Sequence, residues 1–190
     1  MRAAGPRKPL LRWLSPGMFG VVLISLALPF ASVSCSSGEG DIELLTVRGF
    51  HLVTGSGPEV NPAVARAADD EALVAAADIG PQPFAALAAL AAGAGLGLGF
   101  ARPARARLVA TVSAAVGTAS VAIASLRLEV RLTNALAGQD AAAQGAVAVD
   151  RERGFWVALI AFAVAGMTAG VAYAAQRPSI ARPWRRSRGP

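Results

Sequence analysis

Four stretches of the chain contain no Asp, Glu, Lys, Arg or His, and each is long enough to cross a bilayer as a helix: Gly17 to Cys35, Pro81 to Ala101, Leu108 to Leu126 and Gly154 to Gln176. A hydrocarbon core of about 30 Å takes roughly 20 helical residues. The second stretch, PQPFAALAALAAGAGLGLGFA, is Ala/Gly-rich and only weakly hydrophobic, so alone it also reads as the buried helix of a soluble protein. Three similar neighbours decide against that reading, since four such runs in 190 residues leave little polar surface for a soluble exterior. Composition agrees: 54% of residues are apolar and mean hydropathy is +0.49, with alanine and glycine carrying the excess.

Charge orients these runs. Twelve basic residues and no acid occupy three segments: Arg2, Arg7, Lys8 and Arg12 before the first run, Arg102, Arg105 and Arg107 between the second and third, and Arg177, Arg182, Arg185, Arg186 and Arg188 after the fourth. Between the first and second runs eight acids (Glu39, Asp41, Glu43, Glu59, Asp69, Asp70, Glu71 and Asp78) face Arg48 and Arg66, and residues 127–153 balance four acids against four arginines. Short loops rich in Lys and Arg stay cytoplasmic. The expected plan is therefore a basic cytoplasmic tail at 1–16, a first span at 17–35, an external acidic loop at 36–80 and a second span at 81–101. A cytoplasmic basic turn at 102–107, a third span at 108–126, an external loop at 127–153, a fourth span at 154–176 and a basic cytoplasmic tail at 177–190 complete it. The expected fold class is all-α transmembrane: a four-helix membrane bundle with a small external cap of short strands or extended segments. Such a chain is a multi-pass protein of the cell membrane with both termini cytoplasmic. The net charge of +6 and pI near 11.2 then follow from topology, so no nucleic-acid partner is expected. The basic segments also suit anionic lipid headgroups.

Aromatic residues fit the same borders. Trp13, Phe19, Phe100 and Tyr173 fall near the expected inner interface, and Phe30, Phe84, Phe155 and Trp156 near the outer one, where amphipathic rings are favoured.

Cys35, the one cysteine, closes the first run and raises the question of cleavage. A basic start, Pro29 and the small-x-small sequence Ser32-Val33-Ser34 resemble a processed signal. The apolar run is too long for a signal core, and Ser32 stands where a lipoprotein signal wants an aliphatic residue. Retention of the first run is expected, with a processed lipoprotein bearing Cys35 as the alternative. A single cysteine also excludes disulfide relay chemistry within the chain.

Three pieces, LPFASVSC at the outer end of the first run, LLTVRGFHLVTG in the first external loop and GFWVALIAFAVAG opening the last run, resemble a group of uncharacterised small four-span membrane proteins of GC-rich bacteria. The resemblance implies a retained first helix and an inner-membrane location, and brings no activity.

Within the runs, small residues are the legible chemistry. Gly93/Gly97 and Gly95/Gly99 are each four apart and point to roughly opposite sides of a helix, so the second helix is expected to approach neighbours on two faces. Ser113, Gly117, Ser120 and Ala124 make a small stripe on the third, with Val112, Val116 and Ile123 as a bulkier ridge facing lipid; the fourth adds Gly166/Gly170. The hydroxyls of the third run are expected to bond between helices. No ionisable residue lies inside any run, which argues against a proton relay or ion path.

The external segments offer short strands or extended segments around a turn in DIELLTVRGFHLVTGSG, a surface helix after Asn61 and Pro62, and a strand in LRLEVRL, with helical continuation of the third span as its rival. His51 is the single histidine and lacks a Cys or carboxylate cluster at ligand spacing, so no metal, cofactor or catalytic residue is expected. TGSGPE lacks the lysine of a phosphate loop. The expected function is structural or interactive: a membrane bundle presenting an external cap to an envelope protein or to a second copy of itself. The alternative is a lipoprotein or an accessory subunit of a transport complex.

Overall fold

A computed structural model of the chain describes residues 10–37, 40–62, 80–100, 104–136 and 147–175. The basic tails at 1–9 and 176–190, and nearly all of the surface helix expected after Pro62, lie outside the described residues. The elements, in order, are α1 (Leu10–Ser25), β1 (Pro29–Ser37), β2 (Gly40–Arg48), α2 (Gly49–Thr54), β3 (Glu59–Val60), α3 (Pro83–Gly99), α4 (Ala104–Leu136), β4 (Val147–Arg151) and α5 (Arg153–Ala174). The protein is mostly helical with one small antiparallel sheet of order β3-β2-β1-β4.

The long helices close a ring in which α1 packs on α3 and α5, and α4 packs on the same two. Their contacts are made by small side chains at helical spacing. On α4 the buried positions run Ala106, Ala110, Ala114, Gly117, Val121, Ala124, Leu128 and Leu132; on α5 they run Ala158, Ala161, Phe162, Ala165 and Ala169; on α3 they are Ala85, Ala88, Ala92 and Gly95. Alanine and glycine let backbones approach closely, which multiplies dispersion contacts. Two rings fill the centre. Phe19 of α1 and Phe162 of α5 are fully buried and meet edge to face at 6.2 Å. Each is seated on a glycine: Phe19 on Gly95 of α3, and Phe162 on Gly117 of α4.

Exposure is inverted relative to a water-soluble bundle. Ile24 on α1 is 70% exposed, Leu90 on α3 70%, Leu126 on α4 57% and Val171 on α5 68%. The expected lipid ridge of Val112, Val116 and Ile123 is exposed as well, and Gly117, Ser120 and Ala124 of the small stripe are buried.

Several expectations are corrected. The run Gly17 to Cys35 is not one helix: α1 stops at Ser25, a turn occupies 26–28, and Pro29–Ser37 is a strand. Proline at 29 supplies no N–H to extend the helix, and the chain turns instead into β1, the strand between β2 and β4. Among the described residues two helices, over Arg105–Leu132 and Arg153–Ala174, are long and apolar enough to cross a membrane; the first and second runs give the shorter apolar helices Trp13–Ser25 and Pro83–Gly99. LRLEVRL is helical, part of a 33-residue α4, because Leu128 and Leu132 continue its buried stripe. The strand that joins the sheet from this region is β4 instead. DIELLTVRGFHLVTGSG forms β2 and then the short helix α2 rather than a second strand. On α3 the close approach is one-sided: Gly95 and Gly99 meet Phe19 and Pro16 of α1, whereas a side chain at Gly93 or Gly97 would find nothing within 4 Å. Phe19, Phe30 and Phe155 are core rather than belt residues, while Trp13, Phe100 and Trp156 stay exposed. Thr111 and Thr118 donate back to the carbonyls of Arg107 and Ala114 on their own helix, at 2.9 and 2.8 Å, and not across to a neighbour.

Candidate functional site at the seam of sheet and bundle

The three sequence pieces LPFASVSC, GFHLVTG and GFWVAL are far apart in the chain and meet at one side chain. Phe30, two residues after the α1–β1 turn has closed, inserts between the glycines that open α2 and α5. A Cβ on Gly49 would lie 2.7 Å from the Phe30 ring, and one on Gly154 would lie 2.8 Å from it. Only glycine leaves room for the ring at both places. Backbone bonds seal the junction: Phe50 N–H donates to Leu26 O at 2.9 Å, and Glu152 N–H to Phe30 O at 3.0 Å.

Beside Phe30 lies a small cavity of about 30 Å³, where the sheet meets α3, α4 and α5. Its walls are apolar, from Leu52, Ala85, Ala88, Val121 and Phe155 among others, and its polar edge is formed by Ser125, Glu129 and Arg151. Arg151 at the end of β4 donates to Glu129 Oε2 at 2.7 Å and to Ser125 Oγ at 3.0 Å, tying β4 to the outer part of α4. Its guanidinium also stands 5.9 Å from the Phe155 ring centre. Arg127, one turn before Arg131 on α4, lies over the ring of Phe84 at 4.6 Å. Inside the sheet, Ser32 Oγ donates to Glu152 Oε1 at 2.7 Å, which satisfies a buried hydroxyl with the residue preceding α5.

His51 lies at the other side of the seam, third residue of α2, and is 6% exposed. Its Nδ1 accepts the backbone N–H of Arg48 at 3.4 Å and its carbonyl accepts Gly55 N–H at 2.8 Å, closing α2 at both ends. Gly55 holds the left-handed conformation, φ 74°, that this helix end requires. Arg48 pairs with Glu59 of β3 at 2.8 Å. Burial pushes the His51 imidazole below its usual pKa, with Arg48 acting in the same direction and Glu59 against it.

Cys35 lies on β1, opposite Ile42 on β2 and Val147 on β4, and therefore in the middle of the sheet rather than at a helix end. Among the described residues no group of three or more His, Cys, Asp or Glu is placed to hold a metal ion. What the arrangement offers is a tight joint between a sheet and four helix ends, with ion pairs on its rim. Sequence reasoning did not find the Arg151–Glu129 or Arg48–Glu59 pairs, because alternation in a charged loop says nothing of partners across the fold. The Gly-Phe dipeptides at 49–50 and 154–155 were the signal available for the Phe30 wedge. No protein-family profile matches the chain, and no curated protein matches it either.

Proposed function

We propose that the protein is a four-span integral membrane protein, with the sheet outside and both termini in the cytoplasm, whose function is structural or interactive: the bundle anchors a small external cap for a partner in the envelope. The observation that carries this reading is the outward exposure of large apolar side chains on all four long helices, over a bundle core rich in alanine. Such a surface has no stable place in water and suits lipid. The ionisable groups of the long helices lie toward their ends. Arg105 and Arg107 stand at the start of α4, with Arg107 donating to Ala172 O near the end of α5 at 3.1 Å; Arg127, Glu129 and Arg131 stand toward its other end, beside the sheet. A stretch of 19 residues from Leu108 to Leu126 separates them.

The helices α1 and α3, of 16 and 17 residues, are about 24 to 26 Å long. In the proposed arrangement the α1–β1 turn completes the thickness on the outer side. Its backbone is already satisfied, with Leu26, Ala27 and Leu28 N–H donating to Leu23, Ile24 and Ser25 carbonyls, as a lipid-facing backbone requires. Retention of the first segment is supported by the place of β1, since cleavage before Cys35 would remove α1 and six of the nine residues of β1, a strand paired on both sides.

Impermeant thiol labelling in intact cells tests the orientation. With Cys35 replaced by serine, a cysteine at exposed Gly57 is expected to label and one at Arg105 only after permeabilisation. Labelling of Arg105→Cys in intact cells, with none at Gly57→Cys, reverses the proposed topology.

A further inference from the structure

We propose that His51 is an acid-sensitive latch: as a neutral acceptor its imidazole closes the first turn of α2 onto the last residue of β2, and once protonated it loosens that turn, whose Gly49 and Leu52 wall the cavity at the seam.

The latch is built from three sets of contacts. First, the imidazole Nδ1 accepts Arg48 N–H at 3.4 Å, so the helix is closed by a side-chain nitrogen that must be unprotonated to work. Protonation converts that acceptor into a donor facing another donor. Second, the ring is buried, 6% exposed, and packs edge to face on Phe50 at 4.1 Å, so an added charge is poorly solvated. Third, α2 is tied at both ends to other elements. Phe50 N–H reaches Leu26 O at 2.9 Å in the α1–β1 turn, and Gln82 N–H, just before α3, donates to Leu52 O at 2.7 Å. Gly49 and Leu52 are cavity wall, so loosening of this turn reaches the cavity.

Among the described residues, few charged groups bear on His51. β2 brings Arg48 and β3 brings Glu59, which are paired with each other at 2.8 Å; α3, packed against α2, contains no ionisable residue. A cation at His51 gains from Glu59 and loses to Arg48 and to burial, and burial is the largest of the three. The sign follows. With its folded pKa lowered, His51 binds its proton more readily when the turn is loosened, so the closed state is fully favoured above about pH 6.5 and is lost as pH falls through the lowered value. That the acid comes from outside the cell rests on the proposed orientation; the latch itself does not, and is tested where both faces meet the same buffer.

Hydrogen exchange of the intact protein in detergent micelles, corrected for intrinsic rates, reads the latch directly. Between pH 7.5 and 5, protection of amides 48–55 is expected to fall severalfold, with the amides of α4 and α5 unchanged. His51→Gln, which keeps an acceptor and cannot be protonated near neutrality, is expected to abolish the pH dependence. Unchanged protection in the native protein, or the same acid response in His51→Gln, overturns the proposal. If the variant does not fold, the native His51 ring followed by NMR decides: titration clearly below pH 6.5 together with the exchange response supports the latch, and titration at or above that value overturns it.

Discussion

Two glycines, Gly95 and Gly99, set the close approach of α1 and α3, and Gly95 holds the larger obstacle. Gly95 carries the Phe19 ring, and Phe19 in turn touches Phe162, which rests on Gly117, so the bundle centre is a chain of ring, ring and two glycine seats. Any side chain at Gly95 must displace a ring held by its own partner. Gly97, two residues on, has nothing within 4 Å, and Val116 on α4 faces outward. Gly95→Leu is therefore expected to lower the yield and melting temperature of folded protein in detergent sharply, by more than the 1 to 3 kcal/mol usual for overpacking, because the obstacle is a whole ring. Gly97→Leu and Val116→Leu are expected to be tolerated alike. Thermal unfolding of the three variants checks this, and equal losses at Gly95 and Gly97 would place a close contact at Gly97 as well. The Gly95→Ala loss is expected to be partly recovered by Phe19→Leu, a coupling that a double-mutant cycle measures.

Among the elements, β1 has the most consequence for the whole, since it pairs with β2 on one side and β4 on the other while continuing from α1 after a three-residue turn. A chain lacking everything before Cys35 keeps only Cys35, Ser36 and Ser37 of that strand and loses the Phe30 wedge. The intact mass of the mature protein is accordingly expected to include the first segment, and a truncation beginning at Cys35 is expected not to accumulate in folded form. A native chain starting at Cys35 with a diacylglycerol mass would reverse this and restore the lipoprotein reading. How much of this was legible in advance varies by element. The uncharged runs located all four bundle helices, because long apolar stretches bounded by charge have few other uses. They did not reveal β1, since PFASVS is as apolar as a helix end and short apolar runs read alike for buried strands and helices. LRLEVRL satisfies a period of two, yet Leu128 and Leu132 also stand four apart; what settles it is the neighbouring stripe from Ala110 to Ala124, a tertiary fact. The one-sided use of the α3 glycines was equally out of reach, because glycine spacing marks faces that can approach and is silent about which one does so. The seam around Phe30 was visible only as three separate motifs.

For the molecule as a whole, the mismatch in helix length is the feature that a bilayer would feel. On the four-span reading, α1 and α3 present about 24 to 26 Å of helix to lipid, whereas the α5 helix, with 22 residues, is about 33 Å long and α4 longer still. Long helices can tilt or extend beyond the hydrocarbon, as α4 would on this reading where Arg127, Glu129 and Arg131 stand outside its uncharged stretch. Short ones joined to a sheet cannot lengthen. The α1–β1 turn and the start of α3 are bound into the seam through Phe50 and Gln82, so drawing them into a thick bilayer would pull the polar rim, Arg151 with Glu129 included, toward hydrocarbon. On the four-span reading the membrane thins instead, at a cost of fractions of a kcal/mol per Å of mismatch. The protein is therefore expected to unfold at a higher temperature in nanodiscs of lipids with chains of about 14 carbons than in those of about 22 carbons, by several degrees. Intrinsic tryptophan fluorescence during thermal unfolding reads the difference, as Trp13 and Trp156 are exposed on the bundle surface. A soluble or merely peripheral protein would show no dependence on chain length, and stability rising with thickness would mean that α1 and α3 do not span.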